Sequence, residues 1–308
     1  MKLSIVSTLY RSAPYINEFC RRAGSAAQSI TQDYEIILVN DGSPDDSLLL
    51  ARALAQSDKH ITVIDLSRNF GHHKAIMTGL SHSKGEFVFL IDSDLEEPPE
   101  LLQGFWDSLA SDTETDVVYG VQRTRKGGLY ERVSGSLFYV LFNALSAVKI
   151  EKNMSVLRLM TRRYVDSLIQ YREQELVFAG VAALAGYQQK SYVFDKLDKG
   201  ISSYNIIHKL DMVANSIASF SNRPLYYIFY LGLVLTVSSM VLVTYFLGCY
   251  FILGNIVSGW TSLIISLWAL GGIILLTLGL MGIYLAKMFN EVKDRPYTIV
   301  RAIYRGDA

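Results

Sequence analysis

Short apolar runs alternate with amphipathic stretches along the first two hundred residues of the chain. Unbroken apolar runs of about four to eight residues are typical of strands buried on both faces of a parallel sheet. Such runs predict strands at 3–9, 35–39, 61–66, 87–91, 116–121, 155–160 and 188–194. The stretches between them predict helices at 12–30, 44–57, around 75–80, 130–150, 162–171 and 175–185. This alternation predicts an α/β fold with a doubly wound, mostly parallel sheet covered by helices on both faces.

The pattern changes after Arg223, because no Lys, Arg, Asp, Glu or His occurs between Arg223 and Lys287. Two apolar runs lie in this region, at about 225–253 and 262–286. Each exceeds the roughly 20 residues that a helix needs to cross a membrane. We therefore expect two transmembrane helices, joined by a short uncharged turn into a hairpin.

The charged residues around the apolar runs predict how the hairpin is oriented. The nearby cations are Arg223, Lys287, Lys293, Arg295, Arg301 and Arg305, whereas the turn carries none. By the positive-inside rule, both ends of the hairpin face the cytoplasm. The predicted divisions are a cytoplasmic domain at 1–203, an interfacial amphipathic helix at 204–223, the hairpin at 224–286 and a basic cytoplasmic tail at 287–308. Two helices bury little surface against each other, so a homo-oligomer is a reasonable expectation.

Composition excludes several classes of function. The chain has 29 Lys and Arg residues against 29 Asp and Glu residues, which argues against nucleic-acid binding through bulk charge. The two cysteines, Cys20 and Cys249, exclude a disulfide framework and a thiolate zinc site. The apolar run at 3–9 is too short for the core of a signal peptide and predicts a strand instead.

An acidic stretch follows the apolar run at 87–91. Asp92, Asp94 and Glu96 come directly after this predicted strand, and Pro98-Pro99 ends any further pairing. In open α/β sheets, ligands bind at the carboxyl edge of the strands. Clustered carboxylates there favour Mg²⁺ or Mn²⁺, which commonly bridges a substrate diphosphate. The alternative is a solvated acidic turn before a helix, where negative charge suits the helix dipole.

Other polar loops follow the neighbouring predicted strands and should meet at the same edge. They are residues 7–10, 40–43 and 67–71. Asp41 suits an acceptor for a base or ribose group, although an Asp in an Asn-Asp-Gly turn is often a local cap. No G-x-G-x-x-G follows the first strand and no P-loop motif occurs, so the common dinucleotide and P-loop sites are not indicated.

A basic loop follows the predicted strand at 116–121. Arg123, Arg125 and Lys126 precede two glycines in this loop. Arg binds phosphate through paired hydrogen bonds, and glycine lets a backbone approach closely. The loop is therefore either a phosphate-binding element or a solvated turn.

Four stretches together resemble a known family. They are DLSRNFGHHKAIMTG at 65–79, IDSDLEEPPE at 91–100, NDGS at 40–43 and GIYLAKMFNEVKDRP at 282–296. This combination resembles the polyisoprenyl-phosphate glycosyltransferases of glycosyltransferase family two, such as dolichol-phosphate mannose synthases and undecaprenyl-phosphate glycosyltransferases. The resemblance implies a GT-A fold, a bacterial inner-membrane location and inverting transfer of a sugar from a nucleotide sugar, with UDP favoured, to a polyisoprenyl phosphate.

The resemblance also implies roles for particular residues. Asp94 and Glu96 would hold Mg²⁺ or Mn²⁺. Residues expected to take part in transfer are Asp92, Asp94, Arg123 and Arg125, the arginines through the lipid phosphate or the diphosphate. Contacts with the nucleotide sugar are expected from Ser7, Tyr10, Asp41, Ser43, Asp92, Lys196 and Lys199. The family usually has Gln at position 96, and the extra charge of Glu96 should tighten metal binding.

The chain departs from the family at positions that matter for catalysis. Val156 stands where relatives carry an Asp, and Leu197 and Ser203 replace two cations, for which Lys196 and Lys199 would compensate. The residues after the first strand also differ. A lipid phosphate is largely dianionic at cytoplasmic pH, so its attack needs no general base. The alternatives are a processive polysaccharide synthase, whose Gln-x-x-Arg-Trp motif is missing, and a membrane-anchored subunit that binds nucleotide sugar without transfer.

Overall fold

The computed structural model describes residues 1–123, 153–174, 176–196, 223–253 and 259–306. Within them, an eight-stranded mixed sheet has the order β7-β5-β6-β4-β1-β2-β3-β8. Its strands are β1 (Leu3–Leu9), β2 (Tyr34–Asn40), β3 (Ile61–Leu66), β4 (Phe87–Leu90), β5 (Val117–Gln122), β6 (Met154–Thr161), β7 (Gln189–Phe194) and β8 (Val300–Arg305). The predicted helix at 130–150 lies outside the described residues, and so does the one at 204–223 except for its last residue, Arg223.

The centre of the sheet is parallel, as the unbroken apolar runs predict. β1 pairs in parallel with both β2 and β4, and β2 pairs in parallel with β3. Every residue of β1 and β2 is buried, because helices cover both faces. The carboxyl ends of these four strands therefore share one edge of the sheet.

The other half of the sheet contains antiparallel pairs. β6 runs antiparallel to β4 and to β5, whereas β7 pairs in parallel with β5. Because β6 is reversed, its first residues lie beside the carboxyl end of β4, in register with Leu90 opposite Arg158. This reversal brings Ser155 and Val156 toward the edge where the acidic stretch begins.

Among the described residues of the same compact unit, six helices accompany the sheet. They are α1 (Ile16–Gln28), α2 (Ser47–Ser57), α3 (His72–His82), α4 (Leu101–Ala110), α5 (Arg162–Leu168) and α6 (Phe178–Leu184). α1 begins four residues later than predicted, because the backbone N–H groups of Tyr15 and Ile16 donate to Ser12 O in a preceding turn. α3 packs closely on the sheet, since a Cβ at Gly79 would meet Val6 and Val39.

The strand β8 is absent from the sequence-based prediction, which treated residues 287–308 as a tail. β8 pairs antiparallel with β3 and forms one edge of the sheet. Its residues alternate between partly buried and exposed, and the Arg301 guanidinium lies 2.7 Å from the buried Asp65 carboxylate. Residues 295–306 therefore belong to the sheet unit.

The second compact unit contains, among its described residues, α7 (Arg223–Leu253) and α8 (Trp260–Val292). Within α8, the stretch Ser266–Val292 is long and apolar enough to cross a membrane, and its apolar window is not buried in the protein. Leu225–Leu235 in α7 is a shorter apolar stretch. One candidate span is thus present in the described chain, and the two-span hairpin stays a prediction.

Candidate functional site

Four carboxylates follow β4 at the shared edge of the parallel strands: Asp92, Asp94, Glu96 and Glu97. Asp92 Oδ1 lies 3.5 Å from His72 Nε2. Burial raises the pKa of Asp92, and the nearby His72 opposes the rise. The charges of Asp94 and Glu96 raise that pKa further. The edge therefore carries a surplus of negative charge.

Asp94 and Glu96 belong to one tight turn. Asp94 Oδ1 accepts a 2.9 Å hydrogen bond from the backbone N–H of Glu96, across Leu95 with its φ of +61°. Carboxylate oxygens are the ligands that Mg²⁺ and Mn²⁺ prefer, and a divalent cation would neutralise the surplus charge, so the donor chemistry fits the predicted cofactor. Nevertheless, no group of three His, Cys, Asp or Glu side chains is arranged to hold a metal ion in the part of the chain that the structure describes.

Glu96 has a lysine beside it. Lys196 Nζ lies 2.8 Å from Glu96 Oε2, and the two side chains are 29% and 28% exposed. Lys196 follows the end of β7 by two positions, so the pair joins distant parts of the chain. The structure thus brings Lys196 to the acidic edge, while its contact with a ligand stays a prediction.

Glu97 is a site residue that the sequence analysis missed. Its side chain is fully buried and accepts a hydrogen bond from Ser155 Oγ, at the start of β6. Its Oε2 has no hydrogen-bond partner among the described residues. Burial, with the charge of Asp92, raises the pKa of Glu97 to about 7. The sequence gives no signal for this role, because the partner Ser155 lies 58 positions away.

Asp41 organises a loop at the end of β2. Its carboxylate accepts hydrogen bonds of 2.7 Å and 3.0 Å from the backbone N–H groups of Phe70 and Gly71. Burial raises the pKa of Asp41, and these two hydrogen bonds oppose the rise. Gly42 has a φ of +60°, and a Cβ there would overlap the backbone of Asn69. Asp41 thus fixes the loop that precedes α3, and its contact with a nucleotide stays a prediction.

Three other predicted nucleotide contacts differ in accessibility. Ser7 lies inside β1, opposite Leu38 of β2, and is fully buried, which argues against a direct ligand contact. Tyr10 is 48% exposed and can meet a ligand. Ser43 Oγ accepts a 2.7 Å hydrogen bond from the backbone N–H of Arg11 and donates one of 2.5 Å to Asp45 Oδ1. Ser43 therefore holds two loops together.

The predicted basic loop is described only at its start. Arg123 is largely exposed, and its Nε lies 3.7 Å from Asp195 Oδ1. Its backbone N–H donates to Phe194 O at the end of β7, which positions it one residue from the Asp195–Lys196 segment. Arg125 and Lys199 lie outside the described residues.

Two histidines at the start of α3 complete the site. His72 Nδ1 lies 3.0 Å from Thr8 Oγ1, and its Nε2 faces Asp92, so His72 bridges β1 and the acidic stretch. His73 Nδ1 donates a 3.0 Å hydrogen bond to Leu176 O. Burial lowers the pKa of His73, which favours its neutral form.

A carboxylate-lined edge on a doubly wound sheet is a fold-level feature that many enzymes share. The family model of glycosyl transferase family 2 matches residues 4–180, which include the acidic edge, Asp41 and both histidines. The chain belongs to glycosyltransferase family 2. This match confirms the predicted GT-A type α/β fold. It also confirms the resemblance to glycosyltransferase family two.

Two relatives that align along nearly their whole length support the same membership. A Mycobacterium tuberculosis protein named among the glycosyltransferases is 46% identical over 307 residues, covering 100% of this chain and 90% of the relative. The SfII prophage-derived bactoprenol glucosyl transferase of Shigella flexneri is 31% identical over 309 residues, covering 100% of both chains. The crystal structure of S. aureus TarS 1-349 aligns with a TM-score of 0.47 and 20% identity over 71% of this chain and 65% of that one. This family 2 protein is thus a glycosyltransferase with bactoprenol glucosyl transferases among its homologues.

Proposed function

We propose that this glycosyltransferase moves a sugar from a nucleoside-diphosphate sugar, with UDP as the favoured carrier, to a polyisoprenyl phosphate such as undecaprenyl phosphate. Transfer inverts the anomeric carbon and takes place at the cytoplasmic face of a bacterial inner membrane. The observation that carries the proposal is the acidic edge of the sheet, Asp92 to Glu97, in a chain that matches a bactoprenol glucosyl transferase from end to end. A divalent cation held at such an edge would neutralise the diphosphate of the donor.

The proposed reaction is a direct displacement. An oxygen of the lipid phosphate attacks the anomeric carbon, the bond from that carbon to the diphosphate oxygen breaks, and the nucleoside diphosphate leaves. Mg²⁺ or Mn²⁺, held by Asp94 and Glu96, would supply positive charge to the departing diphosphate. Arg123 and Arg125 are proposed to hold the acceptor phosphate in line. The acceptor is already an anion, so Val156 in place of an Asp does not prevent the reaction.

We expect that Asp94→Asn reduces transfer by about 100-fold or more, because the change removes a charged oxygen ligand at the leaving group. The measurement uses detergent-purified protein, Mn²⁺, undecaprenyl phosphate and a panel of nucleotide sugars, with radiolabelled sugar followed into the organic phase. Asp107→Asn is the matched control, because Asp107 is an exposed carboxylate on α4. Equal transfer by the Asp94 variant and the wild type would contradict the proposed role.

The proposal includes a two-helix membrane hairpin with both ends in the cytoplasm. A cysteine at Ser258, in the predicted turn, should react in intact cells with a membrane-impermeant maleimide. A cysteine at the exposed Ser57 of α2 should react only after the cells are lysed. Reaction of both positions, or of neither, in intact cells would contradict this topology.

A homo-oligomer is also part of the proposal, and light scattering of the detergent-purified protein tests it.

A second candidate function is nucleotide-sugar binding without transfer. Val156 at the start of β6, where the resemblance implies an Asp, favours it. Under this alternative, the protein binds UDP in the presence of Mn²⁺, yet no donor in the panel yields glycolipid. Transfer that depends on both lipid and metal would exclude it.

A further inference from the structure

The pairing of Glu96 with Lys196 has no counterpart in the roles carried over from the resemblance. The resemblance implies that Glu96 is a metal ligand and that Lys196 contacts the donor. In the structure, Lys196 Nζ lies 2.8 Å from Glu96 Oε2, so the two groups form an ion pair with each other. A divalent cation at Glu96 would lie beside an ammonium group, and the two positive charges would repel each other.

The charges of several carboxylates act on this lysine, although Glu96 is its direct partner. Burial lowers the pKa of Lys196, but the hydrogen bond to Glu96 and the charges of Glu97, Glu96 and Asp94 outweigh this effect and raise the pKa. Both side chains of the pair are more than two thirds buried, so solvent screens their attraction only in part. Lys196 therefore places a positive charge beside Glu96 and offsets part of the negative charge of the acidic edge.

We propose that Lys196 is an internal counterion that competes with the divalent cation for Glu96. When the cation binds, the Lys196 ammonium leaves Glu96 and pairs with the diphosphate of the donor. This inference rests on the proposed function, because it takes the Asp94–Glu96 turn as the cation site. The Glu at position 96 is what makes the competition possible, since a neutral Gln there would not hold the lysine. Tight cation binding then depends on the donor, whose diphosphate gives the displaced ammonium a new partner.

The test measures Mn²⁺ binding to full-length, detergent-purified protein by electron paramagnetic resonance, without nucleotide. Lys196→Met should bind Mn²⁺ about tenfold more tightly than the wild type, a change of about 1.4 kcal/mol. Lys190→Met is the matched control, because Lys190 is an exposed lysine on β7, and its Mn²⁺ affinity should equal that of the wild type. In a Glu96→Gln background, Lys196→Met should change the affinity by less than about twofold.

The second half of the proposal has its own measurement. With Mn²⁺ at saturation, Lys196→Met should bind UDP about fivefold more weakly in calorimetry, because the ammonium no longer reaches the diphosphate. Unchanged Mn²⁺ affinity in Lys196→Met would overturn the competition, and unchanged UDP affinity would overturn the passage to the diphosphate. Neither measurement uses sugar transfer, so a failure of this proposal can be distinguished from a failure of the proposed reaction.

Discussion

At the scale of single residues, Asp45 shows how one side chain holds several loops at the site edge in place. Its carboxylate accepts hydrogen bonds from Ser43 Oγ, from Ser47 Oγ and N–H, and from the backbone N–H of Ala13. Burial raises the pKa of Asp45, but these hydrogen bonds outweigh it and hold the pKa at about 2, below the ordinary 3.8. One side chain thus fixes the loops after β1 and β2.

The change Asp45→Asn should lower the free energy of unfolding at pH 7 by about 1 kcal/mol, after allowance for solvent screening. A depressed carboxyl pKa stabilises the folded state above pH 3.8, and this stabilisation is lost as the pH falls toward 2. The wild type and the variant should therefore differ at pH 7 and converge below pH 2. Thermal unfolding in detergent measures the difference, expected to be about 2 to 4 °C at pH 7. Asp46→Asn, at the exposed neighbour, is the control and should leave the midpoint unchanged.

At the scale of elements, the strands buried on both faces are the ones that sequence predicts well. The runs at 3–9 and 61–66 coincide with β1 and β3, because an unbroken apolar run has few alternatives to a buried strand. β8 was missed because an edge strand keeps one face in water, so Arg301 and Arg305 make it look like a polar tail. The acidic turn and Asp41 were found as candidates, but Glu97–Ser155 and Glu96–Lys196 were not, since these pairs depend on tertiary contacts between distant segments.

β8 should contribute measurable stability through Arg301. The change Arg301→Met leaves the fully buried Asp65 without its cation, although Asn40 Nδ2 still donates to it at 2.8 Å. We expect the thermal midpoint to fall, because a buried carboxylate that loses a charged hydrogen-bond partner is costly. Arg301→Lys should recover part of this loss. Arg305→Met, at the other arginine of β8, is the control, and equal thermal midpoints for the two Met variants would contradict the role of the ion pair.

At the scale of the whole molecule, the chain combines an acidic sheet edge with a pair of long apolar helices. Large apolar side chains on α8, such as Leu267, Trp268 and Leu275, are more than two thirds exposed in the protein alone. Exposed apolar surface of this extent supports the proposal that α8 lies in a membrane. Length and the absence of charge were enough to predict the apolar helices from the sequence. A membrane requires only a long, uncharged apolar helix, whereas a protein core also requires particular packing contacts.

After the apolar helices, the chain returns to the sheet as β8. A water-soluble version of this enzyme therefore has to keep that strand. Cutting the gene before residue 223 would strip the edge strand from β3 and expose its unpaired backbone, which promotes aggregation. A soluble version should instead keep residues 295–306 and replace the apolar helices with a flexible glycine-serine connector. The two versions can be compared by expressing them side by side and measuring the soluble fraction. A soluble, monomeric product from the simple truncation would contradict the importance of β8 for folding.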